Sequence, residues 1–223
     1  MKFDARVVGL PNHLAMAKSH LPKQDYAMEL AKMQAAEKRL TEKLPKQKRE
    51  VADFFKRKLD CISHFQCDRF DFLAPLFQFA TFVDGTTPEE VIRENAWTGS
   101  LNIVLLGTAD SMIVPFDFPV PLEVKIDGRA HPYMLCSGVR MKSELNTLDE
   151  YVAVEHTLGV RQLDAFVSLS REAMAKFEKA EGVGRRFWAK WGVMALRGLV
   201  ERSLKNRVPV VLDPNFGDVP ASV

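Results

Sequence analysis

The period of the hydrophobic pattern changes twice along this chain, and that change restricts the fold more than any other feature. Apolar residues recur at helical spacing from Tyr26 to Leu44, at a spacing of two after Pro75, and at helical spacing again from Ser143 onward. Helical segments on both sides of a strand-rich middle predict an α+β fold. With 223 residues and 47% hydrophobic content, the chain is long enough to bury a core, which excludes disordered and collagen-like proteins.

A helical hairpin is predicted near the amino terminus. One amphipathic helix begins after Pro22 and ends at Pro45, and a second follows with an apolar face formed by Val51, Phe55, Leu59 and Ile62. Because the connection is only a few residues long, we expect the two helices to pack antiparallel. The hairpin then collects basic residues at its tip and along its second helix: Lys43, Lys46, Lys48, Arg49, Lys56, Arg57 and Lys58.

The formal net charge of +2 conceals an uneven distribution of charge. Residues 32–58 carry ten basic and four acidic side chains, a net of +6, whereas residues 59–184 carry ten and nineteen, a net of −9. From residue 185 onward, seven basic and three acidic side chains give +4. A concentrated positive segment is compatible with a surface that binds nucleic acid or another polyanion. It is equally typical of the solvated face of an amphipathic helix, so charge alone leaves both interpretations open.

The remaining pattern predicts a mainly antiparallel sheet and a helical C-terminal part. Strands are predicted at residues 2–8, 76–83, 102–106, 112–116 and 122–126. A last, basic helix is expected from Arg185 to about Lys205. We therefore expect one α+β DNA-binding domain over residues 1–208, followed by a C-terminal tail over residues 209–223.

A strand followed by two helices is predicted between His131 and Ala180. Tyr133–Met141 has the pattern of a strand, and residues 159–162 separate the two helices that follow. Strand-helix-helix is the unit of ribbon-helix-helix DNA-binding proteins, in which strands of two chains pair and enter the major groove. In that interpretation Arg140 and Lys142 contact base edges and Arg161 contacts a phosphate. An ordinary strand and helix pair within an α+β core is the alternative.

Several short motifs, in their order along the chain, resemble a known family. They are Gln24-Asp25-Tyr26-Ala27, Pro115-Phe116-Asp117-Phe118, His131-Pro132-Tyr133, Asp149-Glu150-Tyr151, the stretch from His156 to Leu163, and Gly184-Arg185-Arg186-Phe187-Trp188. Over roughly residues 20–190 this order is similar to the AcaB-like transcriptional regulators of conjugative plasmids and integrative conjugative elements. The resemblance implies a dimeric, sequence-specific DNA-binding protein with a ribbon-helix-helix-type element that activates conjugation genes.

Two sets of residues suggest metal chemistry instead. Asp110, Asp117 and the Glu123-x-Lys125 pair have the composition of a metal-dependent nuclease site, in which carboxylates hold the metal and the lysine positions water. An exposed cross-strand charge pair is the favoured explanation of Glu123 and Lys125, because Glu-x-Lys occurs by chance in most proteins of this size. Cys61, His64 and Cys67 offer three zinc ligands without a fourth at suitable spacing, which favours buried thiols beside a helical histidine.

The remaining expectations concern location and partners. The first residues lack the apolar run of a signal peptide, no stretch is long and apolar enough to span a membrane, and three cysteines suit reduced thiols. We therefore expect a cytoplasmic protein that is not an enzyme, holds no metal or cofactor, and binds double-stranded promoter or operator DNA as a homodimer. A nuclease and a non-enzymatic assembly subunit of a mobile element are the alternatives.

Overall fold

The structure, a computed structural model, describes residues 3–67, 111–128, 132–152 and 183–212 together with the single positions Leu76, Ala80 and Ile103. Within these ranges the chain forms six strands and five α-helices. The strands are β1 Phe3–Val7, β2 Ser63–Cys67, β3 Ser111–Val114, β4 Leu122–Val124, β5 Tyr133–Ser137 and β6 Val210–Leu212. The helices are α1 Leu10–His20, α2 Lys23–Lys43, α3 Lys48–Lys56, α4 Gly138–Val152 and α5 Val183–Asn206.

All six strands belong to one mostly antiparallel sheet with the order β2-β1-β6-β3-β5-β4. Each neighbouring pair is antiparallel except β3 and β5, which are parallel. Since β6 runs antiparallel to both β1 and β3, the strands β1, β3 and β5 point the same way. Their carboxyl ends therefore meet at one end of the sheet, called here the carboxyl edge.

The sheet is covered by helices on both faces, because its side chains alternate between two apolar clusters. Ala5, Ile113 and Cys136 face one cluster, which includes buried residues of α4 and α5. Met112, Leu135 and their neighbours face the other cluster, which includes buried residues of α2 and α3. This three-layer arrangement confirms the α+β class and the mainly antiparallel sheet.

The predicted helical hairpin is present as α2 and α3. Helix α2 ends at Lys43, and a short 3-10 turn, Pro45–Gln47, leads into α3. Helix α3 is fixed to the loop after β3 by an edge-to-face contact between Phe54 and Phe116, whose ring centroids lie 5.3 Å apart. The second helix is shorter than predicted: it ends at Lys56, so Leu59 and Ile62 lie beyond it.

The chain that leaves α3 packs tightly against the start of α1. The Gly9 amide donates a hydrogen bond to the Leu59 carbonyl oxygen at 2.8 Å. A Cβ atom at Gly9 would lie 2.4 Å from the Arg57 carbonyl oxygen, so only glycine permits this approach. The segment that carries Arg57 and Lys58 is therefore held in place beyond the end of the helix.

The predicted strand over Tyr133–Met141 is wrong in its second half. Strand β5 ends at Ser137, and Gly138 is the first residue of α4. The Ser137 hydroxyl caps the helix, since its oxygen accepts a hydrogen bond from the Arg140 amide at 3.1 Å and its proton is donated to the Phe116 carbonyl at 2.8 Å. Arg140 and Lys142 therefore lie in the first turns of a helix and not on a strand.

The boundary predicted for the C-terminal tail is also wrong. Residues 210–212 form β6, which lies between β1 and β3 inside the sheet and is buried. Its three residues pair with two strands that are distant in sequence, a stabilisation that no local pattern reveals. The expected tail therefore begins no earlier than residue 213, and residues 213–223 lie outside the described part of the chain.

Of the other predicted strands and helices, some are confirmed and some are not. The strands expected at residues 2–8, 112–116 and 122–126 and the last helix are confirmed by β1, β3, β4 and α5. The strands expected at residues 76–83 and 102–106 are not, because the positions described there, Leu76, Ala80 and Ile103, are helical and buried. The other residues of these two predictions lie outside the described ranges.

Candidate nucleic-acid interface

The basic side chains of the hairpin are free to meet a partner. Seven of them are exposed: Lys43, Lys46, Lys48, Arg49, Lys56, Arg57 and Lys58. Within the ranges that the structure describes, none of the seven forms an ion pair with a carboxylate. Arg57 makes one hydrogen bond, from Nη1 to the Asn206 carbonyl oxygen at 3.1 Å. Ammonium and guanidinium groups in this state retain donors for an anionic partner.

The charged side chains of helix α3 fall on two of its three sides. At about 100° per residue, its buried side holds Val51 and Phe54. Lys48, Arg49 and Lys56 fall within about 100° of one another on the outward side, called here the basic face. Glu50 and Asp53 fall on the third side, called the cleft face, and Arg57 lies just beyond the end of the helix. Asp53 lies at the border of the basic face, one turn from both Arg49 and Lys56, so a carboxylate of the same helix bounds this face.

Beneath the hairpin, a buried ionic cluster joins α2 to α1. Glu29 forms an ion pair with Lys32, and its Oε2 lies 3.2 Å from Nε2 of His13. Lys32 Nζ lies 5.6 Å from the ring centroid of Tyr133 on β5. All four side chains are nearly inaccessible to solvent. They connect the base of the hairpin to the sheet, which fixes the orientation of the basic face.

The protonation state of this cluster follows from its contacts. Burial raises the pKa of Glu29, but the hydrogen bond with His13 and the charges of Lys32 and His13 outweigh it, lowering the pKa to about 2. Glu29 is therefore a carboxylate at neutral pH, and it neutralises a buried ammonium group. The sequence signal for this cluster is the pair of charged residues, Glu29 and Lys32, beside the apolar stripe of α2.

The second predicted DNA-contacting region, β5 with α4, has a different environment. Arg140 is engaged by Asp117, with Nε 2.6 Å from Oδ1 and Nη2 3.3 Å from Oδ2. Lys142 is exposed, and Arg161 lies outside the described residues. Strand β5 is buried and is paired with β3 on one side and β4 on the other. Neither of its edges is free to pair with a second copy of the chain.

A surface cleft lies at the carboxyl edge, between α3 and the end of α5. It has a volume of about 400 Å³ and is lined by Gln47, Glu50, Asp53, Phe54, Arg57, Pro115, Phe116, Asp117, Leu204 and Arg207. We call it the α3–α5 cleft. Arg207 is the one non-glycine residue with a left-handed backbone among the described residues, with φ of 52°. None of the sequence patterns pointed to this cleft, because its lining residues come from three distant segments.

The proposed nuclease residues are not assembled around one point. Asp117 lies near the carboxyl end of β5, because the carbonyl oxygen of the preceding residue, Phe116, accepts a hydrogen bond from the hydroxyl of Ser137. Lys125 follows β4 at the opposite end, where Val124 pairs with Tyr133. The five residues of β5 separate these ends by about 13 Å. Glu123 and Lys125 are both exposed, as an ordinary charge pair would be, and Asp110 lies outside the described residues.

The Cys61, His64 and Cys67 set is arranged differently from the helix that the sequence predicted. His64 and Cys67 lie on β2, and Cys61 precedes this strand. His64 Nε2 lies 2.7 Å from Oδ2 of Asp4, which also holds the buried Arg6 through two hydrogen bonds. Burial raises the pKa of the Cys61 thiol. Among the described residues, no group of three or more His, Cys, Asp and Glu side chains is placed to hold a metal ion.

Comparison with other proteins adds no relative. No protein-family model, no curated protein and no solved structure matches the chain. In the part of the chain that the structure describes, none of the helices has the length and apolar character required to cross a bilayer.

Proposed function

We propose that this protein binds double-stranded DNA through the α2–α3 hairpin and acts as a transcriptional regulator. The observation that supports the proposal is the set of exposed basic side chains at residues 43–58, none of which is neutralised by a carboxylate among the described residues. Lysine and arginine side chains that contact phosphates displace condensed counterions and supply most of the affinity of such an interface. The hairpin is thus assigned the phosphate contacts.

The dimensions of α3 suit a groove of B-form DNA. An α-helix with its side chains is about 10–12 Å in diameter and fits the major groove, which is about 12 Å wide; the nine residues Lys48–Lys56 make α3 about 13 Å long. Arg49 and Lys56 lie two turns apart on the basic face, so both can contact phosphates when the helix lies in or across the groove. Lys46 and Lys58 extend the positive surface beyond each end of α3.

The proposal places DNA on the hairpin rather than on a paired β-ribbon. A ribbon needs a strand with a free edge, whereas β5 is hydrogen-bonded on both sides. Arg140, Lys142 and Arg161, which the ribbon interpretation assigned to DNA, are therefore secondary in the proposal. The order of motifs that resembles the AcaB-like regulators supports three further parts of it: a homodimer, action on conjugation promoters in the cytoplasm, and activation of transcription.

Fluorescence anisotropy with a labelled duplex of random sequence tests the binding itself. We expect the wild-type protein to bind the duplex at low salt and to release it as salt is raised, because the contacts are to phosphates. Absence of binding by the folded protein at low salt would contradict the proposal.

A selection from a pool of randomised duplexes tests the regulatory part of the proposal. A sequence-specific regulator enriches one motif over successive rounds, and a dimer enriches two half-sites with fixed spacing. If the protein binds DNA but the pool is not enriched in any motif, the protein binds DNA without sequence specificity, which would contradict the regulatory part of the proposal. The same rounds with Mg²⁺ and gel analysis detect cleavage, which would favour the nuclease alternative.

A further inference from the structure

We propose that β4 is a dimerisation edge, at which the strand pairs antiparallel with the same strand of a second copy of this chain. This inference rests on the homodimer of the proposed function and names its interface. Strand β4 is the last in the order of the sheet, and among the described residues it pairs only with β5. Its outer edge therefore presents main-chain N–H and C=O groups to which another strand can hydrogen-bond.

The side chains alternate strictly along this edge, from Leu122 to Ile126. Leu122, Val124 and Ile126 are buried and belong to the apolar cluster that includes residues of α2 and α3. Glu123 and Lys125 are exposed. Because residues two apart lie on the same face of a strand, the edge has an apolar face toward the hairpin and a charged face on the other side.

The two charged residues have no partner within the described part of their own chain. Glu123 lies opposite Met134 of β5, and Lys125 follows Val124, the last paired residue of β4. Neither forms an ion pair or a hydrogen bond with any residue that the structure describes. The cross-strand charge pair that the sequence predicts therefore needs a strand from elsewhere.

A second copy supplies that strand in one register. When two β4 strands run antiparallel with Val124 at the centre, Glu123 lies opposite the partner's Lys125, and Lys125 lies opposite the partner's Glu123. Side chains that are directly opposite in an antiparallel pair have Cβ atoms about 4.5–5.5 Å apart, within reach of an ion pair. Leu122 and Ile126 meet in the same way on the apolar face. The pattern of this edge is thus complementary to itself.

The symmetry of the pairing suits a protein that binds one duplex as a dimer. Its two-fold axis is perpendicular to the sheet, so each face of one sheet continues into the same face of the other. The apolar face of β4 is the face covered by α2 and α3. Both hairpins therefore lie on one side of the extended sheet, where they can contact two half-sites of one duplex.

The opposite signs of the two charges distinguish this edge from a blocked one. Proteins also place charged side chains on edge strands to prevent pairing. Like charges serve that purpose, because they repel when two copies meet. Glu123 and Lys125 have opposite charges at the spacing that brings them together, which favours association.

Charge reversal tests the interface, with sedimentation equilibrium in the absence of DNA as the measurement. We expect the wild-type protein to dimerise at about 100 µM or below. Glu123→Lys and Lys125→Glu each place like charges opposite one another twice, and each should weaken the dimer at least about 10-fold. The double variant restores opposite charges in exchanged positions and should dimerise within about threefold of wild type.

Lys18→Glu, at an exposed position on α1, is the control for charge reversal and should dimerise as wild type does. Three results would each overturn the proposal: a wild-type protein that stays monomeric at about 100 µM, single variants that dimerise as well as wild type, or a double variant that does not recover. If the single variants lose the dimer, the double variant recovers it and the wild-type protein fails to bind a duplex, only the DNA proposal is wrong.

Discussion

The α2–α3 hairpin and the β5–α4 segment both carry basic residues predicted to contact DNA, but the fold treats their charges differently. On the hairpin, Lys48, Arg49 and Lys56 are exposed on one face of a helix and have no acidic partner among the described residues. On the β5–α4 segment, Arg140 is held by Asp117 and the strand has no free edge. A basic residue in a sequence is thus a candidate phosphate contact only when the fold leaves it unneutralised.

The two regions also differ in how they are attached to the sheet. The hairpin is attached through a buried ionic cluster formed by His13, Glu29 and Lys32. The β5–α4 segment is attached through a strand in the sheet and a capped helix, with Ser137 at the junction. Substitutions that remove these attachments should therefore lower the unfolding free energy by different amounts in the two regions, which tests the comparison.

The largest effect is expected from Glu29→Ala. Removal of the carboxylate breaks the buried ion pair between Glu29 and Lys32, which typically costs about 3–5 kcal/mol of unfolding free energy. Urea denaturation measures the loss. Glu42→Ala is the matched control, because Glu42 is about half exposed and 3.9 Å from Arg39, and it should change stability by less than about 1 kcal/mol. A similar, small effect of both substitutions would show that the cluster does not anchor the hairpin.

The same carboxylate predicts a pH dependence. The pKa of Glu29 is lowered from 4.5 to about 2 in the folded protein, so its stabilisation is complete above pH 4.5 and is lost as the pH falls toward 2. The difference in unfolding free energy between wild type and Glu29→Gln should therefore be largest near neutral pH and shrink across that window. A difference that stays constant down to pH 2 would contradict the assigned role of Glu29.

An intermediate effect is expected from Ser137→Ala at the β5–α4 junction. The substitution removes the cap of α4 and the hydrogen bond to the Phe116 carbonyl, at a cost of about 1–2 kcal/mol. Thr147→Ala on the exposed side of α4 is the control; it removes only a bond to the Ser143 carbonyl within the helix and should be near neutral. Thermal unfolding of the two variants gives the comparison, and equal values for both would argue against the cap.

The smallest effect is expected from Arg140→Ala with Lys142→Ala. The Arg140–Asp117 ion pair is half exposed, so its loss should cost less than about 1 kcal/mol of stability. Because we assign DNA to the hairpin, the double variant should bind a random-sequence duplex within about twofold of wild type. Anisotropy titrations check this, and a large loss of affinity would move the DNA surface to α4.

The elements with a clear local period could be predicted from the sequence. Strand β1, the α2–α3 hairpin and strands β3 and β4 follow from apolar spacing within a few residues. The switch from β5 to α4 at Ser137 could not be placed, because Leu135, Val139 and Met141 continue a period of two, whereas the cap depends on Phe116, 21 residues away. Strand β6 has three residues, too few for a period, and exists through its pairing with β1 and β3.

The candidate site could be predicted only where it depends on local sequence. Exposure of the hairpin lysines follows from amphipathicity, which is local. Neutralisation of Arg140 by Asp117 and assembly of the α3–α5 cleft depend on contacts between segments far apart in sequence. The two charged residues of α2 that turn inward, Glu29 and Lys32, are the one feature of the buried cluster that a closer look at the helical face could have found.

The central claim is that the unneutralised charges of the hairpin bind DNA phosphates, and the salt dependence of binding tests it most directly. The measurement compares wild type, the triple variant Lys46→Ala, Lys48→Ala, Arg49→Ala, and a control that removes three exposed lysines elsewhere, Lys18→Ala, Lys125→Ala, Lys205→Ala. For the hairpin variant, we expect the slope of log affinity against log salt to become shallower by about 2 to 3, with the control close to wild type. Equal slopes for the hairpin variant and wild type, with DNA still bound, would contradict the claim.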